Sequence, residues 1–99
     1  MNIQKTQEGQ NVVLKLAGRL DTDTAPALET AVKEGLDGVT SLRFDFSNLE
    51  YISSAGLRIL LMAQKLMNKQ GSMVIFGTNE GIDEIFEMTG FSDILTIEK

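Results

Sequence analysis

Two hydroxyl side chains, Ser53 and Ser54, are followed by Ala55 and Gly56 where a loop is predicted to become a helix. The first N–H groups of a helix lack partners, and the helix dipole is positive there, so this position tolerates an added negative charge. Phosphorylation of a serine at such a place would change the surface without unfolding the domain. On residue chemistry alone, the simpler interpretation is that Ser53 or Ser54 caps the helix.

Three charged residues are further candidates for a functional role. Arg58 follows Ser54 by four positions and therefore lies on the same helix face, within reach of a phosphate or a partner carboxylate. The alternative is that Arg58 is an ordinary solvated arginine. Asp21 and Asp23 precede the first predicted helix. No matching acid or base is identifiable for them, so we expect caps rather than catalytic carboxylates.

The composition excludes most catalytic chemistry. Among 99 residues there is no His and no Cys, which removes the commonest general base, the soft metal ligands and the best nucleophile. An enzyme using Ser54 or Asp21 would rely on carboxylates alone, without a glycine-rich phosphate loop. The net charge of −5 provides no basic stripe for nucleic acid. We expect no enzyme, no cofactor, no metal site and no nucleic-acid partner.

Hydrophobic periodicity predicts a single α/β domain, with a mixed sheet of four or five strands and helices packed against it. The predicted helices are residues 24–36, 54–70 and 80–89. The predicted strands are residues 3–7, 11–17, 41–46, 72–76 and 94–97, with residues 18–20 between the second strand and the first helix, and a loop at residues 47–49.

The second helix carries more apolar residues than one buried stripe requires. Leu57, Leu60, Leu61 and Met67 are predicted to face the sheet, whereas Ile59, Met62 and Leu66 widen the apolar arc. The added width is explained by a larger core or, alternatively, by a docking surface, since Met suits both.

Chain length and hydropathy indicate where in the cell the protein is expected to reside. Residues 59–63, the longest near-continuous apolar run, are far fewer than the roughly 20 residues that a membrane span needs. The first residues lack the basic and apolar segments of a secretion signal. We expect a cytoplasmic monomer without a membrane span.

Four motifs resemble one bacterial family. Residues 45–49 (DFSNL) and 53–57 (SSAGL) are similar to the signature of the anti-sigma factor antagonists, which are STAS domains. Residues 18–21 (GRLD) resemble the turn before that family's first helix, and residues 85–91 (IFEMTGF) resemble its closing helix. The order and spacing agree over essentially the whole chain, which implies one STAS domain across residues 1–99.

This resemblance implies a switch that acts through protein binding. In the family, a serine kinase that is itself the anti-sigma factor phosphorylates the serine before the (S/A)-G-L motif, which is Ser54 here. The unphosphorylated antagonist binds the kinase and so releases a sigma factor. Ser53, where the family often has Asp, is the alternative phosphorylation site.

The resemblance also implies a partner surface and further partners. The surface comprises the loop with Asp21 and Asp23 together with Ser53, Ser54, Ala55, Gly56 and Arg58. A serine phosphatase is the expected second partner. STAS domains also serve as accessory subunits of lipid transporters and in stress-signalling scaffolds, which are the alternative functions.

Overall fold

Five strands and three helices form one α/β domain in the computed structural model, which describes residues 1–98. This confirms the predicted fold class. The strands are β1 (Asn2–Glu8), β2 (Asn11–Leu20), β3 (Ser41–Ile52), β4 (Ser72–Phe76) and β5 (Ile97–Glu98). The helices are α1 (Ala25–Gly35), α2 (Ser54–Gln70) and α3 (Glu80–Thr89), and a short 3-10 turn covers Phe91–Asp93.

The sheet follows chain order, β1-β2-β3-β4-β5, and is mixed. β1 and β2 form the predicted antiparallel hairpin, and the neighbouring pairs from β2 to β5 are parallel. Each parallel pair is joined by a helical crossover. Because right-handed crossovers that advance in one direction lie on the same side, the helices cover one face of the sheet. The opposite face carries Lys15, Arg43 and Phe76, which alternate along their strands with fully buried residues.

The core lies between the sheet and the helix layer. Leu42, Phe44 and Phe46 alternate along β3 with half-buried residues, and the two phenylalanine rings meet edge to face with centroids 5.9 Å apart. The fully buried large side chains from the other elements include Leu14, Leu16, Leu20, Leu28, Leu36, Leu60, Met67 and Phe86. A single continuous core therefore joins β2 and β3 to all three helices.

β2 and β3 are longer than the sequence predicted. Two segments that were not predicted as strands belong to strands: residues 18–20, where the family resemblance implies a turn, and residues 47–49, which were predicted as a loop. Register shifts between Lys15 and Ala17 and between Gly18 and Arg19 allow pairing to continue to Leu20 and Ile52. The simple polar and apolar alternation ends after Phe46, because irregular pairing changes the spacing of buried residues.

The last strand is also displaced from its predicted position. Residues 94–97 were expected to form it, but β5 contains only Ile97 and Glu98. Ile94 is half exposed and Leu95 is buried, because the 3-10 turn places the Leu95 N–H against the Phe91 carbonyl at 2.8 Å. The apolar residues at 94 and 95 therefore belong to a turn that seals the core.

The arc of α2 is largely a core feature. Ile59 is 5% exposed and belongs to the core, as the larger-core alternative predicts, whereas Leu61 was predicted to face the sheet and is only half-buried. Met62 and Leu66 are partly buried and pack against the core. α2 contacts α1 as well as β3 and β4, and therefore buries more than one stripe.

Candidate functional site

Ser54 is the first residue of α2, at the carboxyl edge of the parallel strands. Leu20 and Ile52 are register partners at the ends of β2 and β3. The Ser53 N–H donates to the Leu20 carbonyl at 2.9 Å, which ties the start of α2 to the end of β2. The loop after β2 and the start of α2 thus meet at one place, here called the Ser54 edge: Asp21, Asp23, Ser53 and Ser54.

The N-terminus of α2 has no side-chain cap. Ser53 occupies the N-cap position with extended backbone angles, but its side chain makes no capping hydrogen bond. Its Oγ is buried and has no hydrogen-bond partner among the described residues. The prediction that Ser53 caps the helix is therefore right for its position and wrong for its side chain. Ser54 is exposed, and the first turn of α2 contains no acidic residue.

Gly56 holds this turn close to the strand ends. A Cβ atom at Gly56 would lie 2.6 Å from Leu20 Cγ and 2.9 Å from Ile52 Cγ1. Ala55 is partly buried and packs against the core. Gly56 itself is buried, so its part in the predicted partner surface is to position Ser54 rather than to contact a partner.

Asp21 organises the loop beside Ser54. Its Oδ1 accepts hydrogen bonds from the Asp23 N–H at 3.0 Å and the Thr24 N–H at 3.2 Å. Partial burial raises the pKa of the Asp21 carboxyl, but these hydrogen bonds and the Arg19 charge outweigh burial, so the pKa lies below its ordinary value. Asp21 thus closes the loop before α1, as expected of a cap, although Thr24 holds the N-cap position.

Asp23 and Arg58 are both exposed at the surface. The Arg58 charge acts across the helix layer on Glu29 of α1. The Glu29 carboxyl has a lowered pKa, first because of its hydrogen bond and ion pair with Lys33 at 2.7 Å, and then because of Arg58. Within residues 1–98, no hydrogen bond joins Arg58 to Ser54. The predicted contact with a phosphate on Ser54 stays a prediction.

Two residues that were not predicted as site residues, Arg19 and Tyr51, lie close to the Ser54 edge. The Arg19 guanidinium carbon lies 4.4 Å from the centroid of the Tyr51 ring. The two residues are register partners in the extended part of β2 and β3. Arg19 was expected in a turn on the basis of the family resemblance, whereas it lies in β2, which is longer than predicted, and pairs there with Tyr51 of β3.

Among residues 1–98, no group of three or more His, Cys, Asp or Glu side chains is arranged to hold a metal ion. No helix of these residues is long and apolar enough to cross a membrane.

Comparison with known proteins identifies relatives over almost the whole chain. Residues 3–96 match the family described as "Mlab, STAS domain". An anti-sigma-B factor antagonist from Listeria monocytogenes is 35% identical over 107 residues, which cover 99% of this chain and 90% of the relative.

Solved structures show the same fold. An anti-sigma factor antagonist from Mycobacterium paratuberculosis superposes with a TM-score of 0.87 at 24% identity, covering 97% of this chain and 83% of that one. The Bacillus cell fate determinant SpoIIAA, solved in its phosphorylated form, gives a TM-score of 0.68 at 19% identity, covering 99% and 92%.

Proposed function

The chain belongs to the STAS domain family of anti-sigma factor antagonists, and we propose that phosphorylation of Ser54 switches its binding to an anti-sigma factor serine kinase. The unphosphorylated protein binds the kinase, and the kinase then releases its sigma factor. Phosphate on Ser54 dissociates the complex. The Listeria relative is named an anti-sigma-B factor antagonist, and a structural neighbour exists in a phosphorylated form.

The observation that carries this proposal is the state of the α2 N-terminus. Ser54 is exposed at a helix start that has neither a side-chain cap nor an acidic residue in its first turn. A phosphate carries about −1.5 to −2 charges at neutral pH. Unpartnered N–H groups and the positive end of the helix dipole stabilise such an anion. The free protein therefore accepts the modification without refolding.

The energetic cost of the phosphate falls on the complex. A surface that packs against a neutral hydroxyl must desolvate a phosphate, and desolvation of an unpaired charge is expensive. Gly56 fixes α2 against Leu20 and Ile52, so Ser54 does not retract from the interface to avoid this cost. Affinity for the kinase falls while the fold of the antagonist stays the same.

In this proposal the protein is a cytoplasmic monomer without enzymatic activity, cofactor or metal. A serine phosphatase removes the phosphate and restores kinase binding. The loop with Asp21 and Asp23 supplies the second side of the kinase-binding surface, because the Ser53 N–H ties this loop to α2 through the Leu20 carbonyl.

The phosphorylation site is tested by incubation with the anti-sigma factor kinase and ATP, followed by mass spectrometry of the intact protein and its peptides. We expect one phosphate, on Ser54. The Ser54→Ala protein is expected to stay folded, to accept no phosphate and to bind the kinase constitutively.

Ser53→Ala is the matched control, because it removes the neighbouring hydroxyl and leaves Ser54 in place. This variant should be phosphorylated like the unaltered protein. Phosphate located only at Ser53, or no phosphate at all, would contradict the assignment. Genes for a serine kinase or phosphatase beside this one would favour the antagonist role over a transporter accessory role.

A further inference from the structure

Two arginines of the sheet stack on aromatic rings, and only one of the two is engaged by a close ion pair. Arg43 lies 4.9 Å from the Phe76 ring centroid, and its Nη2 donates to Glu98 Oε1 at 2.9 Å. Arg19 lies 4.4 Å from the Tyr51 ring centroid, but its Nε is 3.9 Å from the Asp21 carboxylate. The guanidinium of Arg43 thus has both an aromatic ring and a hydrogen-bonded carboxylate within the chain, whereas that of Arg19 has the ring but no hydrogen-bonded carboxylate among residues 1–98.

Asp21 interacts with Arg19 only as a distant ion pair, since the 3.9 Å between Arg19 Nε and Asp21 Oδ2 is too long for a hydrogen bond. The other carboxylate oxygen of Asp21, Oδ1, accepts hydrogen bonds from the Asp23 and Thr24 backbone. Among residues 1–98, the Arg19 guanidinium makes no hydrogen bond, and 61% of its side chain is exposed. The Tyr51 ring supports the guanidinium from one side, so the planar donor edge is held at the surface with little rotamer freedom left to lose.

The stack lies within the reach of any partner that covers Ser54. Tyr51 and Ser54 are three positions apart in the chain, which limits the distance between their Cα atoms to about 11 Å. Arg19 lies on the neighbouring strand, about 5 Å from Tyr51. A standard interface covers about 800 Å² on each partner, a patch roughly 30 Å across. A partner centred on Ser54 therefore extends over the Arg19–Tyr51 stack.

We propose that the Arg19–Tyr51 stack is a second anchor for the anti-sigma factor kinase and binds a carboxylate on the kinase surface. This inference rests on the proposed function, since it concerns the same complex. Tyr and Arg dominate the energetics of protein interfaces. A guanidinium that loses water in an interface requires a charged partner, and a bidentate carboxylate matches its planar donor edge.

This anchor has a different task from Ser54. The charge on Ser54 changes with phosphorylation, whereas the charge on Arg19 is constant. Arg19 therefore selects which kinase is bound, by favouring a surface with a carboxylate at this point and rejecting one with a cation. Ser54 decides when that kinase is bound.

The test measures the affinity of the unphosphorylated protein for the anti-sigma factor kinase by titration calorimetry. Arg19→Glu should weaken binding at least tenfold, Arg19→Gln by less, and Arg19→Lys should restore part of the loss. Tyr51→Ala should also weaken binding, whereas Tyr51→Phe should remain within twofold, because the ring and not the hydroxyl supports the guanidinium.

Arg43→Gln and Arg43→Glu are the matched controls, since they alter the other arginine stack of the same sheet. Both should stay within twofold of the unaltered affinity, with circular dichroism confirming that every variant is folded. Arg19→Glu binding with unaltered affinity would overturn the anchor, and so would equal losses for Arg19→Glu and Arg43→Glu. An unaltered protein that fails to bind the kinase would instead overturn the proposed function, and the anchor with it.

Discussion

The N-termini of α2 and α3 are built in opposite ways. At α3, the Asn79 side chain accepts from the Ile82 N–H at 2.9 Å, and Glu80 and Asp83 place acidic groups in the first turn. At α2, no side chain caps the helix and no acidic group lies in the first turn. α3 satisfies its positive end with its own residues. At α2 the first N–H groups and the positive end of the helix dipole have no acidic or capping side chain near them, and the exposed Ser54 lies beside them. A phosphate on Ser54 would supply the missing negative charge.

The two helix starts also differ in how tightly they pack. Gly56 in the first turn of α2 has no room for a Cβ atom, whereas a Cβ at Gly81 in α3 would approach only Asn79 Oδ1, at 3.4 Å. The rigid helix start is therefore the uncapped one. A switch position benefits from this combination, because the charge changes while the backbone does not move.

Glycine substitutions should give the largest contrast between the two sites. Gly56→Ala should lower the free energy of unfolding by about 1–3 kcal/mol, since the new methyl group meets Leu20 and Ile52. Gly81→Ala should instead raise the free energy of unfolding by up to about 1 kcal/mol, because alanine has a higher helix propensity than glycine. Urea denaturation of both variants measures the contrast. Equal stability of the two variants would show that the α2 start is not tightly packed.

Removal of the capping side chains should give an intermediate effect. Asn79→Ala should lower the free energy of unfolding by about 1 kcal/mol, because it removes the side-chain cap of α3 and also the hydrogen bond from Asn79 to the Leu49 carbonyl. Ser53→Ala should be nearly neutral or slightly stabilising, because its Oγ is buried without a partner. Thermal unfolding of the pair reports the difference. A loss for Ser53→Ala as large as that for Asn79→Ala would mean that Ser53 does cap α2.

Charge substitutions at the two helix starts should change the free energy of unfolding least, and in opposite directions. Ser54→Asp should stabilise the free protein by roughly 0.3–1 kcal/mol, because a carboxylate interacts favourably with the start of α2. Glu80→Gln should lose a few tenths of a kcal/mol at α3 for the same reason. Both changes should shrink in 1 M salt, where screening is strong. Destabilisation by Ser54→Asp at low salt would refute an anion-tolerant site.

The helices were largely predictable because their apolar spacing and end signals agree. α2 and α3 begin and end where the sequence predicted, and α1 differs by one residue at each end. β3 was predicted too short, because its continuation beyond Phe46 depends on irregular pairing with β2, which a local pattern does not contain. The prediction of β5 at residues 94–97 was displaced for a similar reason. Leu95 is buried in the core, but it follows the 3-10 turn and does not belong to a strand.

The candidate site was predictable in part. The position of Ser54 at a helix start follows from local sequence, and its significance follows from the family resemblance. The missing cap was not predictable, because whether Ser53 turns its hydroxyl toward the helix depends on its packing. The Arg19–Tyr51 stack was missed because it requires the register of two strands that are far apart in sequence.

The central claim is that phosphate on Ser54 acts through local charge. The most direct measurement compares free and fully Ser54-phosphorylated protein, by calorimetric titration with the anti-sigma factor kinase and by amide chemical shifts. We predict that phosphorylation weakens kinase binding at least tenfold, with shift changes confined to the first turn of α2 and the loop after β2. Undiminished affinity after complete phosphorylation, or shift changes across β4 and β5, would contradict the claim.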